Sequence, residues 1–481
     1  MVDKLSKEQG MLSEEELIQK VLNGEVKHVY VAFPFLSQPY YKVFPAHFFL
    51  SDVLNKTFRY PEPCLNFNLK NDLIPTKMLN FNAINDVPAE IDKSSFRSMS
   101  WLGPEYAICM GNVKNLKNSD LHWASPRNVL IKKINNIKAK HGVYFLSASE
   151  LEFYVFKNTN EVILQNECET DLKKHLLSNR FSDYKVSQVM TKNEKFTKHF
   201  RENIINCGIV LEALFSEHGP GQHEINMKYG DILKNCDNHI FLKQCIKHTA
   251  DQNGKGTTFM AKPFSDLSGS SCHVHISVYD EKTSKNIFEA PDDIQDPNYY
   301  LIKIGDKEVP CHVQMIHFIG GILKYLEELF ICYAPSINSY KRFKKYSFAP
   351  CYINTWCYDS KLSSVKVIGE GGSMHLEVRV GGADVNPYVL HSALICSGMK
   401  GIEENLVPPE IQTGNTYEKT GLVSAPTNLY EATKLFEKSE FSKEIFGEDF
   451  KECIVNQSYS EWNQFMDHVS QWEVNRYMDL I

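Results

Sequence analysis

A chain of 481 residues, 43% hydrophobic and 23% charged with a formal net charge of −7, is long enough for two or three domains around a substantial core. The acidic balance excludes a basic nucleic-acid surface. Apolar runs such as 316–323 fall far short of the roughly 20 residues that cross a bilayer, so no membrane partner is expected. The start, MVDKLSKEQGMLSEEEL, has no apolar signal core, and the thirteen cysteines form no CxxC pair, which together predict reduced thiols and a cytoplasmic setting.

Residues 1–22 read as a polar tail or helix, with Ser13 and Glu16 spaced as a capping box ahead of Leu17 and Val21. From 23 to 117, short β-like runs (VKHVYVAFPFL, YYKVFPAHFFL, YAICMGNV) separated by Pro and Asn clusters predict a small sheet-rich module. The polar segment 112–127 ends in Ser-Pro and reads as a linker into the helix NVLIKKINNIKAKHG, with a domain boundary near 118. Over 118–481, strands with polar residues at alternate positions interleave with helical stretches such as GDILKNCDNHIFLKQCIKHTADQNG, the pattern of an α+β domain.

In VYFLSASELEFYVF, residues 143–156, alternation places Glu150 and Glu152 on one strand face among aromatic and aliphatic neighbours. Two acids so placed call for a hard cation such as Mg2+ or Mn2+, or else for a solvated edge strand. In SEHGPGQHEIN, Glu217 and Glu224 flank a Gly-Pro-Gly turn that either folds both carboxylates toward one point or is a plain turn. His273 and His275 lie two apart in SGSSCHVHISV, as do Glu377 and Arg379 in MHLEVRV. A lone His pair is more often structural. Three strand-like segments with polar pairs at spacing two, beside a turn bearing two acids, instead describe a sheet face made polar throughout. A mostly oxygen-donor set suits Mg2+ or Mn2+ better than structural zinc.

Taken in order, Glu150-Leu-Glu152-Phe, Glu217-His-Gly-Pro-Gly-Gln-His-Glu224, Lys262-Pro263, Ser-Cys-His273-Val-His275-Ile-Ser277, Ala334-Pro-Ser-Ile-Asn338-Ser-Tyr-Lys-Arg342 and Glu377-Val-Arg379 resemble the catalytic domain of class I glutamine synthetases over residues from about 120 to 481. The resemblance implies a β-grasp N-terminal domain followed by a catalytic domain with a curved antiparallel sheet flanked by helices. It also implies self-association in rings, a dodecamer of two hexamers. Two Mg2+ or Mn2+ sites are implied, one held by Glu152, Glu217 and Glu224 and the other by Glu150, His273 and Glu377. ATP as co-substrate would meet His275, Ser277, Lys366 and His375, while Gly269, Arg342 and Arg379 would grip a glutamate-like acid. With Arg342, Lys361 and Arg379 as the catalytic cations, the γ-phosphoryl passes to the side-chain carboxylate, and ammonia or an amine then displaces phosphate.

The chain also departs from the family pattern. Lys361 and Lys366 stand where arginines are usual, and lysine keeps the charge but loses the bidentate fork. His375 replaces another arginine, and Ser271 stands for a glycine. Phe348, in KYSFAP, takes the place of a glutamate that helps bind ammonium, a trait shared with relatives that ligate larger amines. The Asp-Gly-Ser-Ser loop of the family is not recognisable between residues 60 and 100, and the Asp-x-x-Gly element is absent near Pro34 to Ser37. Pro45-Ala-His-Phe-Phe49, Trp356-x-Tyr-Asp and Gly369-Glu-Gly-Gly-Ser373 resemble the lengsin-like branch, which implies impaired catalysis and a structural role with a cytoskeletal or chaperone-like partner. Three readings follow: a glutamate–ammonia or glutamate–amine ligase, a lengsin-like pseudoenzyme, and another phosphotransferase such as a carboxylate kinase. The complete ligand set favours chemistry, and the lost arginines favour decay.

Overall fold

The computed structural model describes residues 9–82, 84–165, 172–178 and 182–480. The capping box forms as its spacing predicts: Ser13 Oγ accepts from the Glu16 N–H at 3.2 Å, and Glu16 Oε2 accepts from the Ser13 N–H at 2.8 Å. It opens the helix Glu14–Leu22, whose buried Leu17 and Val21 face the first sheet. That sheet holds β1 (His28–Pro34), β2 (Pro39–Pro45), β3 (Phe58–Pro61), β4 (Asp86–Ser98) and β5 (Tyr106–Val113) in the order β2-β1-β5-β4-β3. β1 runs parallel to β5 and the other neighbours are antiparallel, a mixed sheet in keeping with a grasp module.

The second sheet is built on β6 (Val143–Phe156) and adds β7 (Leu211–Ser216), β8 (Gln222–Met227), β9 (Gly230–Asp231), β10 (Gly256–Thr258) and β11 (Cys272–Asp280). A separate hairpin, β12 (Tyr299–Ile304) with β13 (Lys307–His312), precedes the last three strands, β14 (Trp356–Tyr358), β15 (Val365–Ile368) and β16 (His375–Val378). Its order is β14-β15-β16-β11-β6-β8-β7, with β9 and β10 also on β6, and it is antiparallel except for β14 with β15.

Alternation gives this sheet two unlike faces. Phe145, Leu151 and Phe153 of β6, Val274, Ile276 and Val278 of β11, Ile225 of β8 and Leu376 and Val378 of β16 share one face, and all are 1% exposed or less. Helices Pro126–His141 and Ile232–Gln252 pack against β6, and behind them lies Pro387–Glu404. Pro387–Glu404 packs in turn on Val313–Tyr325 with glycines at the crossing: a Cβ on Gly321 would meet Ser397 O at 2.1 Å, and one on Gly401 would meet His317 O at 2.1 Å. Only glycine permits so close an approach. Among the described residues no helix is long and apolar enough to cross a membrane.

The segment read as a linker is packed, with His122, Ser125, Arg127 and Asn128 all buried. Arg127 ties the first sheet to the helix Ile232–Gln252, which packs on the second. Its Nε and Nη2 donate to Asp237 at 2.8 and 2.7 Å, Nη2 also reaches Asp92 Oδ2 at 2.6 Å, and Nη1 donates to Asn112 at 2.7 Å. The Tyr388 hydroxyl adds a bond to Asp237 at 2.7 Å. Removing one partner of a buried pair strands the others without compensation, at a cost of about 3–5 kcal/mol. Arg127→Met is therefore expected to lower the unfolding free energy by about that amount in urea titrations.

Candidate active site

The opposite face of the second sheet carries the polar residues, and strand register decides which of them meet. His273 pairs with Glu150, His275 with Glu377, Glu152 with Glu224, Asn226 with Glu150, and Lys366 with Glu377. Directly opposed side chains start about 5 Å apart at Cβ, so these groups interact by construction. Glu217 comes from the turn between β7 and β8, where its N–H donates to Gln222 O at 2.8 Å. Gly221 takes a φ of +78° in that turn, and a Cβ on Gly219 would meet the Tyr154 hydroxyl at 2.0 Å.

Above this face lies a cavity of about 570 Å³. Glu150, Glu152, Glu217, Glu224, His273 and Glu377 line it, together with Gly269, Arg342, Lys361, Lys366 and Arg379. An adjoining cavity of about 370 Å³ is lined by His275, Ser277 and His375 and shares Glu150 and Asn226 with the first. Every residue singled out from the sequence thus lies on one of two neighbouring cavities. Lys366, grouped with the nucleotide residues in the sequence, lines the first, with Nζ 3.2 Å from Glu377 Oε2. Arg342 is buried against Gly269, where a Cβ would lie 2.8 Å from its Cγ, so a side chain at 269 would displace the guanidinium stem.

The carboxylates fall into two electrostatic groups. Burial alone would raise Glu150, but hydrogen bonding from His273 and the adjacent His275 holds it far below the usual carboxylate range. Glu377 is likewise favoured by burial toward protonation, yet His273 and Arg379 bring it below its ordinary value, and both Arg379 and Lys366 pair with it. Glu224 has no such relief: burial first, then the charges of Glu150, Glu152 and Glu217, push it up to about 9. Glu217 is raised by burial and by Glu152. Among the described residues, one ligand atom each from Glu150, His275 and Glu377 lies within 4.8 Å of the others. Uncompensated acids on one side and a carboxylate–imidazole group on the other fit two divalent cations.

Sequence reasoning passed over several cavity residues. Gln222 Nε2 donates to Glu152 at 3.1 Å, and Asn226 Nδ2 donates to both Glu150 and Glu224 at 3.1 Å. Gln222, Glu224 and Asn226 alternate on β8, so the rule that found Glu150 and Glu152 reaches them too. Tyr184, Lys185, Phe215 and His218 wall the far end with Phe348, whose ring centroid lies 5.5 Å from that of His218. Lys185 Nζ sits 4.5 Å from the centre of the Phe215 ring. Phe215 comes from β7 and the others from separate loops, so together they leave no local pattern. Phe348 holds a φ of +62°, a strained position for a residue with a side chain, of a kind concentrated at ligand sites.

Residues 123–477 match the catalytic domain of glutamine synthetase. The chain belongs to the glutamine synthetase family. It is 32% identical over 481 residues to gamma-glutamylethanolamide synthetase GlnA4 of Streptomyces coelicolor, covering 97% of this chain and 95% of that one. It is 33% identical over 399 residues to the glutamate–isopropylamine ligase of a Pseudomonas species, covering 82% of each. The fold matches a solved GmaS–ADP complex with a TM-score of 0.80 over 96% of this chain and 99% of that one, at 20% identity. It is also 30% identical over 413 residues to the glutamate–methylamine ligase of Methyloversatilis universalis, covering 83% of this chain and 86% of that one.

Because the folded protein holds Glu224 above its ordinary value of 4.5, the folded state binds a proton that the unfolded chain releases first. With chelator present, that contribution to stability is complete below about 4.5 and is lost as the pH rises toward about 9. Urea midpoints are expected to fall between pH 5 and pH 9, and Glu224→Gln to flatten the fall.

Proposed function

We propose that this glutamine synthetase family member is an ATP-dependent ligase that joins an amine to the γ-carboxylate of glutamate through an acyl phosphate, with Mg2+ or Mn2+ at two sites. Phe348 carries the reading: an apolar ring packed on His218 closes a cavity that also holds Arg342, Arg379 and the carboxylates. A ring there suits the carbon chain of an amine and supplies no carboxylate to an ammonium ion. The relatives named for ethanolamide, isopropylamine and methylamine products support the same choice.

In this reading Arg342 and Arg379 hold the carboxylates of the acid, and Gly269 leaves room for Arg342. A nucleotide in the second cavity, against His275, Ser277 and His375, has its phosphate end beside the shared wall of Glu150 and Asn226, next to the acid. Divalent ions held by Glu152, Glu217 and Glu224, and by Glu150, His273 and Glu377, would neutralise charge on the transferring phosphoryl oxygens. Arg379 and Lys366, which rest on Glu377, are then free to face the phosphoryl group, with Lys361 on the same wall. Lysines in place of forked arginines keep this charge and give up geometric precision. Tyr184 and Phe215 exclude water from the end where the amine attacks.

Self-association belongs to the same proposal. Leu69, Met78, Phe81 and Ile84 are exposed between β3 and β4, and such a group of apolar side chains suits contact between copies of the chain. The lengsin-like scaffold is the weaker reading: the full set of acids lines one cavity, although the replacement of arginines by lysines points the other way. A carboxylate kinase would release product without an amine, and the assay separates it. Phosphate release from ATP with glutamate is expected to be faster with ethanolamine, methylamine or isopropylamine than with ammonium. Phe348→Glu should raise kcat/KM for ammonium at least about tenfold, equivalent to about 1.4 kcal/mol. Equal rates with ammonium and alkylamines, or release independent of any amine, contradict the reading.

A further inference from the structure

The end of the first cavity walled by Tyr184, Phe215 and Phe348 also holds a lysine that the proposed reaction does not use. Lys185 Nζ lies 4.5 Å from the centre of the Phe215 ring and 5.2 Å from that of Tyr184, and among the described residues it makes no ion pair. The other cations on this cavity are answered. Lys366 and Arg379 pair with Glu377, Arg342 donates to the Val380 carbonyl, and Lys361 lies close enough to Glu217 to lower its affinity for protons. An ammonium carries three donors and no acceptor, and the faces of two rings satisfy it only weakly.

The backbone under this lysine is fastened to the catalytic sheet. Lys185 N–H donates to Ser216 O at 3.0 Å, one residue before Glu217. Asp183 is fully buried: its Oδ2 accepts from the Gly221 N–H at 2.8 Å, its Oδ1 from Ser178 Oγ at 2.9 Å, and its carbonyl from Ser216 Oγ at 2.7 Å. The turn at 183–186, closed by the Val186 N–H on Asp183 O at 3.1 Å, is thereby tied to both ends of the β7–β8 turn that carries Glu217. Lys185 takes a φ of +49° there, a left-handed conformation that a residue with a side chain adopts at a cost.

We propose that Lys185 receives an anionic group at the far end of the amine, so that the acceptor is a short amino acid or another amine bearing a carboxylate or phosphate. The product is then a γ-glutamyl amide that keeps this charge. The rings of Tyr184, Phe215 and Phe348 flank the carbon chain, and a second positive charge at the same place is repelled, so the lysine also rejects diamines. This rests on the ligase reading, whose acyl phosphate the amine attacks. The incoming ammonium first loses a proton to water, and the nitrogen lone pair then forms the bond to the acyl carbon. The bond from that carbon to the phosphate oxygen breaks, phosphate leaves with the electron pair, and the nitrogen gives up a second proton to water.

The test uses the full-length protein with ATP, glutamate and Mn2+, and reads phosphate release. Glycine, β-alanine and 4-aminobutyrate are each compared with their amides, and phosphoethanolamine with ethanolamine, so that each pair differs in whether the far end is charged. In the wild-type protein kcat/KM is expected to be about tenfold higher for the anionic member of the best pair, the size of one charge-assisted hydrogen bond. The pair that shows it tells a carboxylate from a phosphate. Lys185→Gln should bring that ratio close to one, chiefly through the anionic member, while the uncharged member changes less and reports that the fold is kept. Lys185→Glu should turn the preference toward a diamine of the same length. A wild-type ratio of one or below, or a ratio that Lys185→Gln leaves in place, overturns the proposal. Alkylamines that still release phosphate in that case leave the ligase reading standing, whereas no release with any amine removes the ligase reading and this inference together.

Discussion

Five carboxylates crowded above one face of a sheet repel one another, and the surrounding structure is arranged around that repulsion. Glu150, Glu152, Glu224 and Glu377 sit on neighbouring strands, and Glu217 reaches them from a turn. The opposite face, largely apolar and buried under helices, holds them there. A one-residue slip of β6 or β11 would turn acids and imidazoles into the helix layer and aliphatic side chains into the cavity, so the register is heavily biased. The repulsion is answered unequally: imidazoles and the Arg379 and Lys366 cations satisfy Glu150 and Glu377, while Glu217 and Glu224 keep raised affinities for protons.

That inequality connects the fold to chemistry. Lys366 and Arg379 rest on Glu377, so under the proposed function a metal held by that carboxylate would compete with them and leave them available to a phosphoryl group. Lys366 in place of a forked arginine would make that exchange easier, because a flexible ammonium gives up one partner more readily than a bidentate guanidinium does. At the other end, Phe348 holds a positive φ with its ring beside that of His218, and under the proposed function this aromatic wall would bear on which amine fits. Arg127, remote from the cavity, holds the helix Ile232–Gln252, which packs on the sheet bearing these groups, against the N-terminal sheet through Asp92, Asn112 and Asp237.

Much of this was readable where a local period exists. The capping box at Ser13 and Glu16, and the alternation of β6 that pairs Glu150 with Glu152, needed no tertiary information. β4 escaped because DVPAEIDKSSFRS is half polar and carries a register shift between Asp92 and Arg97, which breaks the period a strand should show. The 112–127 segment reads as a linker from its polarity, yet its polar groups are buried in bonds to distant residues such as Asp237 that composition cannot reveal. Tyr184, Phe215 and His218 come to one cavity with Phe348 only in the folded chain.

The dependence of the structure on cations at this face is tested most directly by thermal unfolding of the chelated protein as Mn2+ is added. An ion that binds the folded state and neutralises the carboxylates stabilises it by mass action, about 2.7 kcal/mol at a hundred times Kd. A midpoint that climbs with Mn2+ in the wild-type protein, and climbs far less when Glu152 and Glu224 are both changed to Gln, is the predicted result. A midpoint that does not move with Mn2+, or that moves equally in both proteins, contradicts it.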